Sequence, residues 1–200
     1  MADLEKTRRN LESRGFKAHI FATGTEAADY LTQTLHGTSI GIGGSATVGE
    51  LGLYEKLCAD NEVFWHWKNK ESDIQDRAAH AKAYLCSANA LSETGEIVNI
   101  DGNGNRVAAT IRGPERVFLL VGRNKITPDL ESAVYRARNT AAPLNARRLG
   151  KNTPCAKSGE PKCFDCRSPE RICRALTILM EPTTAIKEFH VLLIDEDLGM

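Results

Sequence analysis

With 200 residues, 42% of them hydrophobic and 26% charged, the chain is long enough to bury one sizeable core. Its 26 basic and 26 acidic side chains cancel, so no global field attracts nucleic acid or an anionic membrane. The opening MADLEKTRRNLESRG lacks the apolar stretch of a secretory signal and no run approaches the ~20 apolar residues of a membrane span, so a cytoplasmic location with reduced thiols is expected.

In chain order, Asp3 is placed to cap a helix running to about Ser13, with Leu4 and Leu11 on one face and Gly15 as its stop. Phe16 to Phe21 alternates as a strand does. Thr25 is expected to cap a second helix striped by Ala28, Leu31 and Leu35. Thr38 to Ile42 reads as a short strand entering a glycine-rich turn, with a helix over Thr47 to Leu57. A strand at Val63 to Trp67, a helix at Glu71 to Ala83 and a strand at Tyr84 to Ala88 follow.

Glu96 to Ile100 and Val107 to Ile111 read as two strands joined by the turn signal Asp101-Gly102-Asn103-Gly104, an antiparallel hairpin. Arg116 to Val121 is a buried strand, Asp129 to Ala141 a helix opened at Pro128, and Phe189 to Ile194 a last buried strand. Pro143 to Arg174 has no periodicity. Alternating strands and helices predict one α/β domain over 1–200. Its sheet is mainly parallel and flanked by helices, with an antiparallel hairpin and a Cys-rich loop insertion at about 143–175.

That insertion holds four of the six cysteines: Cys155, Cys163, Cys166 and Cys173, separated by seven, two and six residues. The Cys163-Phe164-Asp165-Cys166 step lets two thiolates reach one centre from a single turn, and Pro154, Gly159, Pro161 and Pro169 favour a wrapping loop. Eight basic residues against three acidic ones between Arg147 and Arg174 offset the negative charge that four thiolates leave around a metal. Structural zinc usually takes two short Cys pairs and only one is present, so an iron–sulfur cluster of the 4Fe-4S type is expected, with zinc as the alternative. Phe164 is the only aromatic there, which argues against stacking on nucleic-acid bases. Cys58 and Cys86 are expected to be small core residues, and Trp65 and Trp67 partly buried packing residues.

A second candidate site is the run Gly41 to Gly52, GIGGSATVGELG, in which an apolar strand meets a helix. Gly43, Gly44, Ser45 and Thr47 offer close backbone approach, N–H groups and hydroxyls to a small anion. The run is neither GxxxxGK[ST] nor GxGxxG. Ser92-Glu93-Thr94-Gly95 puts a carboxylate at a strand boundary, where Glu93 can serve as nucleophile or base. Asp101 and Asn103 add polar groups, and Lys125 follows a buried strand at the end where open α/β sheets bind ligands.

The runs GIGGSATVGELG, ETGEIVNIDGNGNR, VGRNKI and NTAAPLNARRL occur in the order and approximate spacing of the LUD-domain (lactate utilisation) family, which the chain resembles over nearly its whole length. The TPC…CFDC…RIC tail resembles one cysteine-bearing branch. The resemblance implies a fold like ribose-5-phosphate isomerase and the CoA transferases, whose glycine-rich loops bind phosphate or CoA-like ligands. It also implies an accessory or redox role in lactate oxidation beside an iron–sulfur or flavin partner protein. Class I CoA transferases use a glutamate in Ser-Glu-Asn-Gly; here Thr94 replaces the Asn. CoA-transferase or isomerase chemistry on a small anionic or phosphorylated substrate is the alternative reading, and a zinc-stapled binding or regulatory module the third. The expected partners are a small anionic ligand, the redox protein and, in a homo-oligomer, a second copy.

Overall fold

The computed structural model describes residues 2–200. Six parallel strands form the main sheet: β1 (Lys17–Phe21), β2 (Ser39–Ile42), β3 (Glu62–Trp65), β4 (Ala83–Ser87), β7 (Arg116–Gly122) and β10 (Glu188–Ile194). They lie in the order β1-β10-β7-β4-β2-β3. A second, mixed sheet has the order β8-β5-β6-β9, from β5 (Ala90–Ser92), β6 (Ile97–Asp101), β8 (Ile126–Thr127) and β9 (Ala175–Leu179).

Period-two alternation explains the main sheet's core. Val117, Leu119 and Val121 of β7 join Tyr84, Cys86, Val191 and Leu193 on one face. Phe118 and Leu120 join Ile40, Ile42, Leu85, Leu192 and Ile194 on the other. Burial on both faces is why these strands read as unbroken apolar runs.

Helix α1 (Leu4–Ser13) is capped by Asp3, whose carboxylate accepts the Lys6 N–H, and Gly15 follows at φ 87°. Helix α2 (Gly24–Thr34) is capped by Thr23, not Thr25. The helix expected over Thr47 to Leu57 is two, α3 (Ala46–Glu50) and α4 (Leu53–Cys58), broken where Gly52 adopts φ 60°. Helix α5 (Ile74–Ala79) precedes β4.

The expected hairpin is corrected. Residues 107–111 belong to helix α6 (Asn105–Ile111), not to a strand. Asp101 decides this: its carboxylate accepts N–H groups from Asn103, Gly104 and Val107, turning the chain into a helix. β6 pairs antiparallel with β5 and with β9, a strand the sequence reading did not identify. The segment from Pro143 is also helical at first. Helix α7 (Leu130–Arg136), capped by Asp129, passes through a π-helical turn at Ala137–Ala141 into helix α8 (Ala142–Arg148). After the short helix α9 (Pro154–Lys157), residues 158–174 carry no helix or strand. Cys86 is buried as expected, whereas Cys58 is exposed; Trp65 is buried and Trp67, 39% exposed, stacks on it. No helix among the described residues is long and apolar enough to cross a membrane.

Candidate functional site

The carboxyl ends of β2, β3, β4 and β7 open into one polar cavity of about 380 Å³. Its lining includes Gly44, Ser45 and Thr47 after β2, His66 and Trp67 after β3, Ser87 and Asn89 at the end of β4, and Lys125 after β7. Asp101 and Asn103 come from the β6–α6 turn, Asn145 and Arg148 from α8. This is the position at which open α/β sheets bind ligands.

Lys125 lies at the centre of the cavity's polar groups. Only 3% exposed, it donates hydrogen bonds of 2.8 Å to both Thr47 Oγ1 and Ser87 Oγ. Burial, helped by the positive charges of Arg136 and Arg106, pulls its ammonium down to about 7. Gly199 packs over it: a Cβ there would stand 2.5 Å from Thr47 Oγ1 and 3.0 Å from Lys125 Nζ.

Arg106 props the wall. It is 8% exposed and donates to Ser87 O (3.0 Å), Asn89 Oδ1 (3.1 Å), Ile100 O (2.7 Å) and Asn99 Oδ1. With those donors committed, Arg106 shapes the site rather than reaching for a ligand. Arg148 stands nearer the mouth, its guanidinium 4.9 Å from the Trp67 ring centre. The sequence reading missed Ser87, Asn89, Arg106 and Arg148. Little local signal marked them: Arg106 directly follows the polar run Asp101 to Asn105, and its burial is set by the tertiary fold.

Of the anticipated ligand residues, Gly44, Ser45, Thr47, Asp101, Asn103 and Lys125 come together around this cavity. Two of them also have local duties: Ser45 Oγ caps α3 by accepting the Val48 N–H, and Asp101 starts α6. Gly43 lies just behind the wall, where a Cβ would meet the Tyr84 hydroxyl at 2.8 Å; its smallness serves packing. Glu93, Thr94 and Gly95 are elsewhere. Glu93 accepts the Asp3 N–H (3.0 Å) and pairs with Lys6 (2.9 Å), fastening α1 to the second sheet. The Asp3 N–H, then Lys6, hold its carboxyl below the usual range. Thr94 Oγ1 bonds Glu96, which is also bound by Ser92 and Arg14. Gly95 has φ 97° in the tight turn beside Arg14.

The four clustered cysteines line a second, small cavity with Arg138, Ala142, Pro143, Ala146, Thr153, Arg171 and Ile172. The free space among them is about 20 Å³, room for one water-sized atom. Among the described residues no group of three or more His, Cys, Asp or Glu is drawn together as a ready ligand set for a metal ion. The loop is nevertheless shaped around sulfur. Asp165 has a left-handed φ of 43°, unusual for a side-chain-bearing residue, and its N–H lies 3.3 Å from Cys163 Sγ. Asn139 Oδ1 accepts the Cys163 N–H at 3.1 Å, and Arg138 Nη2 is 4.0 Å from Cys163 Sγ. Arg171 ties the loop together by donating to Cys166 O (2.7 Å) and Cys173 O (2.8 Å). The Thr153 hydroxyl stands 3.2 Å from Cys155 Sγ. The loop thus gathers four thiols against an apolar backing, with one peptide N–H and one guanidinium directed at the Cys163 sulfur.

The two cavities share a wall, since Ala142 and Ile172 line both. The comparisons with known proteins bear on the fold beneath them. No functionally curated protein matches the chain. A crystal structure of a DUF162 family protein from Deinococcus radiodurans is similar at TM-score 0.53 and 14% identity, covering 97% of this chain and 99% of that one. The LUD domain model matches residues 4–194, so the chain belongs to the LUD-domain family.

Proposed function

We propose that this protein is a cluster-bearing component of organic-acid oxidation of the lactate-utilisation type. In this reading Cys155, Cys163, Cys166 and Cys173 hold an iron–sulfur cluster, and the Thr47–Ser87–Lys125 cavity binds a small carboxylate or phosphorylated ligand. The observation that carries it is the shared lining: Ala142 and Ile172 border both the four-thiol cavity and the polar one that holds Lys125. When bound, such a cluster would supply one-electron exchange. The chain's own residues supply the rest. Arg148 and Lys151 attract the anion, Thr47 and Ser87 orient Lys125, and Gly199 packs over it. Arg138, Arg171 and the Asp165 N–H offset thiolate charge.

A four-iron cubane requires the 158–174 loop to move outward, because the present space takes a single atom. Zinc is therefore the reading to test against it. CoA-transferase or isomerase chemistry with Glu93 as nucleophile or base needs that carboxylate in the cavity, and Glu93 instead binds the Asp3 N–H and Lys6 away from it.

Iron, sulfide and zinc content of anaerobically purified protein decides between the metals, with Cys163→Ser as the variant. About four irons and four sulfides per chain, lost in C163S, are expected. One zinc and no iron, or cysteines that purify anaerobically without either metal, would remove the electron-transfer reading.

A further inference from the structure

Lys125 is a buried amine without an acid. No carboxylate lies within ion-pair distance of it among the described residues, and its two hydrogen-bond partners are both hydroxyls. A neutral amine has two N–H bonds to donate and keeps a lone pair, whereas an ammonium has three to donate. The two hydroxyls satisfy both N–H bonds of the neutral form and leave its lone pair free toward the cavity. The charged and titratable groups that act on it most are Arg136 from α7, Arg106 from α6, Glu50 from α3 and the buried Cys86 thiol of β4, and His66, Asp101, Arg148 and Lys151 line the same cavity. The two arginines oppose the ammonium, and Glu50 and Cys86 favour it less strongly.

We propose that Lys125 captures the carbonyl carbon of a small 2-oxo acid as an imine. The amine lines a cavity of about 380 Å³, ample for such a molecule. Arg148 and Lys151 on the same wall select a carbonyl compound that carries a carboxylate, and Asn89, Asn103 and Asn145 offer amide donors. The inference rests on the small-anion reading of this cavity and is independent of what the cysteines hold.

The step balances without an oxidant. The Nζ lone pair forms the N–C bond as the carbonyl π electrons move to oxygen, and that oxygen takes up a proton as the nitrogen releases one. The resulting carbinolamine loses its hydroxyl with a second proton as water, and the C=N bond forms. Amine plus ketone gives imine plus water. The hydroxyls of Ser87 and Thr47, already bonded to Nζ, are the groups through which those protons pass. Burial and the neighbouring arginines keep a large share of Lys125 unprotonated near neutral pH.

The test uses the full chain, pyruvate and sodium cyanoborohydride, which adds hydride to an imine and fixes it as a secondary amine. Peptide mass spectrometry is expected to place the reduced adduct on Lys125, with trypsin no longer cutting after it, and the yield should saturate with pyruvate. Lys125→Arg keeps the positive charge without the nucleophile and should abolish the adduct. Ser87→Ala, a smaller change, should lower the trapping rate severalfold with the circular dichroism spectrum unchanged. Titration calorimetry with pyruvate runs in parallel. Binding without a Lys125 adduct, or adducts spread over exposed lysines alone, would overturn the imine and leave the anion site standing. Neither binding nor adduct would overturn both.

Discussion

Burying Lys125 has a thermodynamic signature that can be worked out before any ligand is known. Its ammonium falls from 10.5 to about 7 on folding. At 1.36 kcal/mol per pKa unit, that is a cost of about 5 kcal/mol whenever the lysine is protonated in both states. The sign follows from proton counting. Between pH 7 and 10.5 the unfolded chain holds a proton that the folded chain has lost, so this residue makes stability rise with pH across that window. Below pH 7 both states are protonated and the full cost applies. Lys125→Met removes the titration and keeps the apolar stem. It also deprives the Thr47 and Ser87 hydroxyls of a partner, at about 1 kcal/mol each. The variant should therefore exceed the parent by about 3 kcal/mol at pH 6. Its advantage should fade and then reverse as pH approaches 10. Urea unfolding of both proteins at pH 6, 7.5 and 9.5 measures the difference, in which titrations common to both cancel. With urea slopes of about 2 kcal/mol/M, the pH 6 midpoints should differ by about 1.5 M. A difference that stays constant with pH would refute the reasoning, because no other consequence of losing the amine titrates in that range.

Removing Arg106 should act in the opposite direction. Arg106→Met leaves Asn89, Asn99 and two carbonyls without their charged donor, and should cost about 3 kcal/mol, lowering Tm by about 6–12 °C in a scanning measurement. Glu93→Gln breaks the Lys6 pair and should cost about 1 kcal/mol at neutral pH. Because the folded carboxyl titrates below its unfolded value, that contribution is present above about pH 4.3 and disappears as pH falls through the folded pKa. Parent and variant should thus converge in acid, read by urea midpoints at pH 7 and pH 3.

How much of this was legible depended on which physical signal each segment carries. RVFLLV and FHVLLI announce strands covered on both faces, and they occupy the centre of the main sheet as β7 and β10. The strand-to-turn step at Gly43–Thr47 and the position of Lys125 were readable because ligand sites gather at carboxyl ends of parallel strands. Residues 107–111 misled because Val107, Thr110 and Ile111 are β-branched, while the deciding interaction is the Asp101 carboxylate gathering three N–H groups. β9 escaped because it is an edge strand with Leu176 and Ile178 exposed, so it lacks the polar face that alternation needs. Glu93 had a suggestive neighbourhood in sequence, but its partner Lys6 is 87 residues away and invisible to local reading.

The element that joins the two cavities is the helical run from Leu130 to Arg148, and its π turn explains how one rod serves both. An α-helix repeats its faces every 3.6 residues, so residues on one rod diverge steadily in direction. A π turn inserts an extra residue into that register and resets the phase. Before the turn, Arg136 donates to Asn124 O at 2.9 Å and to Asn89 O, bracing the Lys125 side of the main cavity. Within it, Arg138 and Asn139 reach Cys163. After it, Ala142 stands between the two cavities, and Asn145 and Arg148 return to the first. Pro143, which lacks an N–H to donate, sits in the first turn of α8 immediately after the widened segment. Arg138, Asn139 and Ala142, which meet the cysteine loop, therefore sit on the same helical run as Arg136, Asn145 and Arg148, which serve the Lys125 cavity.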